Sequence, residues 1–97
     1  MQEFLVQVAI TVPEGVTQDE VDERRAAEAV RARELTAEGH LLRLWRTVPG
    51  PGVVAVWRAD DEAELRDKVL PSLPLWPWAS AAITPLQPHP NDPNRTS

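Results

Sequence analysis

The first strong pattern along the chain is an alternation. In EFLVQVAITV (3–12), Phe4, Val6, Val8, Ile10 and Val12 share one face, and Leu5, Gln7, Ala9 and Thr11 share the other, the period of two that a half-buried strand requires. PEGVT (13–17) breaks it. Thr17, with Glu20 three residues later, has the form of a capping box, in which the cap side chain takes one of the amide protons that a first helical turn leaves unpaired. A helix is therefore predicted from Gln18 to about Glu38, with Gly39 as its stop. LLRLWRTV (41–48) and VVAVWRA (53–59) read as two strands, and the PGPG turn between them (49–52) is short enough for an antiparallel hairpin. Asp60 and Asp61 are placed to cap a shorter helix through about Val69, with Leu65 and Val69 as its apolar contacts. PSLPLWPW (71–78) is too rich in proline for a regular interior element and is expected to be a structured loop. ASAAITPL (79–86) reads as a last strand, and QPHPNDPNRTS (87–97) as a polar arm that folds only if something holds it.

The order β-α-β-β-α-β predicts an α+β fold of the ferredoxin-like kind: a four-stranded antiparallel sheet with both helices on one face. Residues 1–86 form the domain and 87–97 the arm. The second strand resists a clean inside/outside division, since Leu42 and Leu44 point one way by simple alternation and Leu41 and Trp45 the other. The third has Val54 and Val56 opposed to Val53 and Trp57. Two semi-apolar faces fit a sheet covered twice, by its own helices and by a second subunit, so at least a dimer is expected.

Bulk properties narrow the function. Ninety-seven residues make one small domain. A net charge of −5 argues against non-specific nucleic-acid binding. The absence of cysteine removes disulfides, thiolate catalysis and thiolate metal sites. No apolar run nears the about 18 residues of a membrane span, and MQEFLVQVAITV has neither a basic leader nor a cleavage site, so a cytoplasmic address is expected. His40 and His89 are the only histidines, and with no close ligand set no metal is expected. Glycine-rich phosphate cradles are missing, and with no nucleophile motif covalent catalysis is not expected.

The candidate chemistry lies in RRAAEAVRARELTAEGHLLRLWR (24–46). On a helical projection of about 100° per residue, Glu28 falls near Val21, Ala32 and Leu35, with Arg24 and Arg25 flanking the stripe. A carboxylate partly desolvated by such neighbours gains proton affinity, which suits a group that must take and return a proton. The helix also has a rival apolar side through Ala26, Ala27, Val30 and Ala37; if that side packs, Glu28 faces water. Arg25 and Arg46, and less directly Arg43, offer planar forks that match a substrate carboxylate; ordinary surface ion pairing is the alternative for each. Trp45, Trp57, Trp76 and Trp78 supply large apolar area for core or interface, and Trp76 among its prolines is a candidate to wall a pocket. His40, just past a helix end, fits the helix dipole.

Glu28 and Leu35, EGHLLRLWR (38–46), SLPLWPW (72–78) and HP (89–90), in this order and spacing, resemble the muconolactone Δ-isomerase family over nearly the whole chain. The resemblance implies a ferredoxin-like protomer paired sheet to sheet, in dimers and in larger rings such as decamers. It implies a cofactor-free proton shift in a small carboxylated butenolide, on the way to 3-oxoadipate in aromatic catabolism. It points to Glu28 as the proton-moving group, to Arg25, Arg46 and Trp76 as substrate contacts, and to His89 in an arm that folds over the active site. One departure stands out: catabolic members place a lysine near the position of Arg25, in a KxxE spacing, where this chain has RAAE. An arginine stays protonated at working pH, so it can bind a carboxylate but cannot exchange protons as a lysine does. A relative acting on another small molecule, such as a polyketide-like intermediate, and a non-catalytic oligomeric binding protein are the alternatives.

Overall fold

The computed structural model describes residues 1–50 and 52–94. Strand β1 (Gln2–Ile10) leads into helix α1 (Gln18–Ala37), then the hairpin of β2 (Leu41–Arg46) and β3 (Val53–Ala59), and, after a short helical segment, strand β4 (Ala79–Leu86). The sheet runs β2-β3-β1-β4, antiparallel throughout, so the ferredoxin-like order expected from the sequence is the one observed. Of the PGPG turn, Pro51 lies outside the described residues, as do residues 95–97 of the arm.

The alternation of β1 places Phe4 and Val6 in the core. Register extends that face, because residues paired across an antiparallel ladder project to the same side: Phe4 pairs with Trp57, and Val6 with Ala55 and Ile83. Leu35 of α1 and Leu65, Val69 and Leu70 of the second helical segment close over it as one cluster. Each such fully buried side chain contributes about 1.5–3 kcal/mol relative to exposure. Among the described residues no helix covers the opposite face. Gln7, Ala9, Ala82 and Thr84 are exposed there, and Leu5, Val54 and Val56 are half-buried.

The ends of α1 follow the sequence closely. The Glu20 N–H donates to Thr17 Oγ1 at 3.2 Å. At the other end Gly39 takes φ 86°, its N–H reaches Thr36 O and the His40 N–H reaches Leu35 O, a paired closure that needs a left-handed residue after the cap. His40 is then tied to β3: Arg58 N–H donates to His40 O at 2.7 Å, and His40 Nδ1 lies 2.8 Å from Arg58 O. A carbonyl only accepts, so Nδ1 carries the proton and this histidine is a structural link.

Two elements depart from expectation. The ladder of β2 skips Leu42: Leu41 pairs with Trp57, but Arg43 pairs with the next residue, Val56. This bulge resets the alternation, so Leu41 and Leu44 share the core side, not Leu42 and Leu44, while Arg43 and Trp45 lie on the open face; the strand ends at Arg46. The second helix is α2 (Glu62–Glu64) for a single turn only, then a wide π turn over Leu65–Val69 and a 3₁₀ turn over Leu70–Ser72. Asp61 caps it as expected, accepting the Glu64 N–H at 2.7 Å. Pro71 explains the widening: its ring crowds the carbonyl four residues back and it has no N–H to give. The Leu70 N–H reaches five residues back to Leu65 O instead, and Leu65, Val69 and Leu70 are all buried together.

Candidate functional site

Helix α1 is held less by oil than its length would suggest. Of its twenty residues only Val21 and Leu35 are buried hydrophobics. Between them, at three- and four-residue spacing, the same stripe carries Arg24, Glu28, Arg31 and Ala32, all half-buried. The rival apolar side faces water, with Val30 49% exposed. Glu28 therefore points inward.

Its partner is the proline-rich loop. The Leu75 N–H donates to Glu28 Oε1 at 2.9 Å. One turn earlier, Arg24 Nη1 donates to Pro74 O at 2.9 Å, and its guanidinium lies 4.6 Å from the centroid of the Trp78 ring, within cation–π range. One turn later, Arg31 Nε donates to Ser72 Oγ at 3.1 Å. The loop is shaped to receive these contacts. A 3₁₀ turn at Trp76–Trp78 follows Leu75, Leu73 and Leu75 are buried, and Trp76 packs against the core cluster. The Thr11 N–H donates to Trp78 O, which fixes the loop beyond the C-terminal end of β1.

Burial raises the proton affinity of Glu28 above that of an ordinary glutamate, and the Leu75 N–H opposes this by favouring the ionised form. Among the described residues Oε2 accepts no hydrogen bond, so one oxygen anchors the carboxylate while the other is free to exchange a proton. A carboxylate held this way is chemically able to act as a general base.

The remaining candidates are dispersed. Arg25 and Arg46 are exposed and, among the described residues, take part in no ion pair. Arg46, paired with Val53, lies on the helix side of the sheet. Arg43 stacks on Trp45 at 4.6 Å, on the open face. His89 lies at the far end of β1 from Trp78, in an open hollow of about 1310 Å³ formed with Met1, Glu3, Arg58 and other arm residues; its Nδ1 accepts the Asn91 N–H. Glu28 lines neither that hollow nor a smaller one of about 310 Å³ between Gln7, Thr47, Val54 and Ala82. The larger hollow is open to solvent, and Glu28 stands apart from it in the seam between α1 and the proline-rich loop. A single protomer thus brings Glu28 and the Trp76 loop together, but not His89. Sequence reasoning named Arg24 only as a flank of the stripe and missed its grip on the loop, because its partner is a backbone carbonyl. Among the described residues no group of three His, Asp or Glu side chains is placed to hold a metal ion, and no helix is long and apolar enough to cross a membrane.

Known proteins share the sequence pattern and the fold of this chain. The muconolactone Δ-isomerase of Cupriavidus pinatubonensis is 28% identical over 88 residues, covering 91% of this chain and 95% of that one. The enzyme of the same name from Rhodococcus opacus is 28% identical over 89 residues, covering 92% and 95%. A crystal structure of muconolactone isomerase superposes with a TM-score of 0.84 over 97% of both chains at 23% identity, which shows the shared fold. The family model for muconolactone Δ-isomerase matches residues 2–92, and the chain belongs to that family.

Proposed function

We propose that the protein is a cofactor-free isomerase of aromatic catabolism that converts muconolactone to 3-oxoadipate enol-lactone. Glu28 takes the proton from the ring carbon bearing the carboxymethyl arm. The electron pair moves through the ring double bond onto the lactone carbonyl as a dienolate, and the proton returns at the carbon next to that carbonyl. Atoms and charge balance with one acid–base group and no external reagent. Arg46 binds the carboxymethyl carboxylate and Arg25 assists at the helix surface. Trp76 backs the Glu28 loop.

The observation that carries this reading is the half-buried Glu28, anchored through one oxygen with the other free, in a chain of this family. The open sheet face, with Leu5, Val54, Val56 and Trp45, supports a homo-oligomer paired sheet to sheet. In such an assembly His89, remote from the Glu28 loop within one protomer, serves a site through another subunit.

The test is turnover of muconolactone by the purified protein and by Glu28→Gln, which keeps an acceptor for the Leu75 N–H. Loss of such a base lowers kcat by at least about a hundredfold. Full activity of Glu28→Gln would remove the proposed role. A second reading draws on Arg25 standing where catabolic relatives have lysine: the same proton shift on another small molecule, such as a polyketide-like intermediate. Failure to turn over muconolactone, with turnover of such a compound that Glu28→Gln abolishes, selects it.

A further inference from the structure

The two clasps of α1 on the loop meet on a single chemical group. Pro74 O, which accepts from Arg24 Nη1, and the Leu75 N–H, which donates to Glu28 Oε1, are the two ends of one peptide unit. In a trans peptide the C=O and N–H point in opposite directions, so the plane lies between a cation at its oxygen and a carboxylate at its hydrogen. Residues four apart on a helix present their side chains on one face about 6 Å apart along the axis, which lets Arg24 and Glu28 hold both ends of the unit. No direct ion pair joins them among the described residues.

We propose that Arg24 is a positioning residue for Glu28, acting through the Pro74–Leu75 peptide group that the two side chains share. A guanidinium at the carbonyl polarises the amide and strengthens its N–H as a donor, and the bond to Glu28 Oε1 tightens in turn. The same contact fixes where the carboxylate stands, because the peptide is held in place by Arg24, by the Trp78 ring against the guanidinium, and by the Thr11–Trp78 bond behind it. A simple tether would hold the loop without reaching the acid; the shared peptide makes Glu28 sensitive to Arg24. The inference rests on the reading of Glu28 as the proton-moving group.

The other cations near Glu28 are engaged elsewhere or exposed. On α1, Arg31 is committed to Ser72, Glu34 and Glu38, and Arg25 is exposed. The loop from Ser72 to Trp78 has no titratable residue. The core side of the sheet is apolar except at its margin, where Arg46 is exposed.

The test follows the carboxyl carbon of Glu28 by NMR in the full chain without substrate, for the parent, Arg24→Gln and Arg24→Lys. The expected result is a Glu28 midpoint at higher pH in Arg24→Gln, since the carboxylate loses the strengthened donor, with Arg24→Lys between the two. With substrate, kcat of Arg24→Gln falls about tenfold or more while KM changes by less than about threefold. A midpoint that stays in place or moves to lower pH overturns the proposal. Should Arg24→Gln not fold, the unmodified protein supplies the second measurement: the Leu75 amide proton and the Arg24 guanidinium protons are expected to shift with the Glu28 midpoint, and guanidinium signals that ignore it overturn the proposal. Neither titration needs turnover. Full activity of Glu28→Gln therefore removes the catalytic reading separately, while the titrations still decide the coupling.

Discussion

Glu28 and Leu75, 47 residues apart in sequence, are joined by a 2.9 Å hydrogen bond from the Leu75 amide to the Glu28 carboxylate. It sits in the seam between a largely polar helix and a proline-rich loop, and it ties the two together. An acid that lay in the same place without the amide would face desolvation alone and be protonated more readily. One with several such donors would hold its proton less readily. With a single donor, burial still prevails and the proton affinity of Glu28 stays above the ordinary value.

The raised proton affinity of Glu28 has a consequence for stability. Its native pKa lies above the ordinary value of 4.5, so between the two the native state binds more protons than the unfolded chain. Stability from this group is then fully present below the unfolded value and is lost as pH rises through the native one. Glu28→Gln cannot ionise. The difference in Tm between variant and parent is expected to shift in favour of the variant as pH rises through that window, and to be flat above it. Melting both proteins from pH 4 upward, in steps of about half a unit, checks this. A difference independent of pH would show that the carboxylate is not desolvated in solution.

Leu35 is the main apolar anchor of α1, at 1% exposure within the core cluster. Leu35→Ala removes packing that nothing else on that helix replaces, and the expected loss is about 2–5 kcal/mol, read from urea unfolding. Val30→Ala, on the exposed side of the same helix, is expected to stay within about 0.5 kcal/mol of the parent. Similar losses for both would mean that another surface covers the Val30 side.

Val56 lies near the middle of the uncovered face, paired with Leu5 on one side and Arg43 on the other. Val56→Glu puts a charge where a second sheet would pack, and an unpaired buried charge is strongly unfavourable. Sedimentation is expected to show the parent as an oligomer and the variant as smaller species, with circular dichroism unchanged. A parent that sediments as a single protomer would remove the proposed sheet-to-sheet pairing.

Much of the fold was legible because local chemistry and global packing agree. The alternation of β1, the Thr17 cap and the Gly39 stop each say the same thing that the sheet and core require. The legible part ends where backbone atoms decide. Periodicity alone left Glu28 between two faces of α1; what draws that face inward includes the Leu75 amide and the Pro74 carbonyl, which no side-chain pattern announces. The second helix stands where expected, through Val69, and differs from a regular α-helix for a related reason. Leu65 and Val69 are correctly apolar, but Pro71 turns the regular helix into a π turn that also buries Leu70. The resemblance to a family, and not periodicity, is what singles out Glu28 and the loop at 72–78, which the structure joins through the Leu75 amide.

The bulge at Leu42 decides more than the shape of one strand. Were Leu42 to join the ladder, every later residue of β2 would slide by one rung and Arg46 would come opposite Gly52. Arg43 and Trp45 would then turn under the helices, and Leu44 and Arg46 would turn away. An odd residue in an otherwise even count thus keeps one guanidinium on the side of the acid and sends an indole to the opposite surface, where a neighbour could meet it. The parity of a single strand settles which of its side chains look toward the helices and which look away.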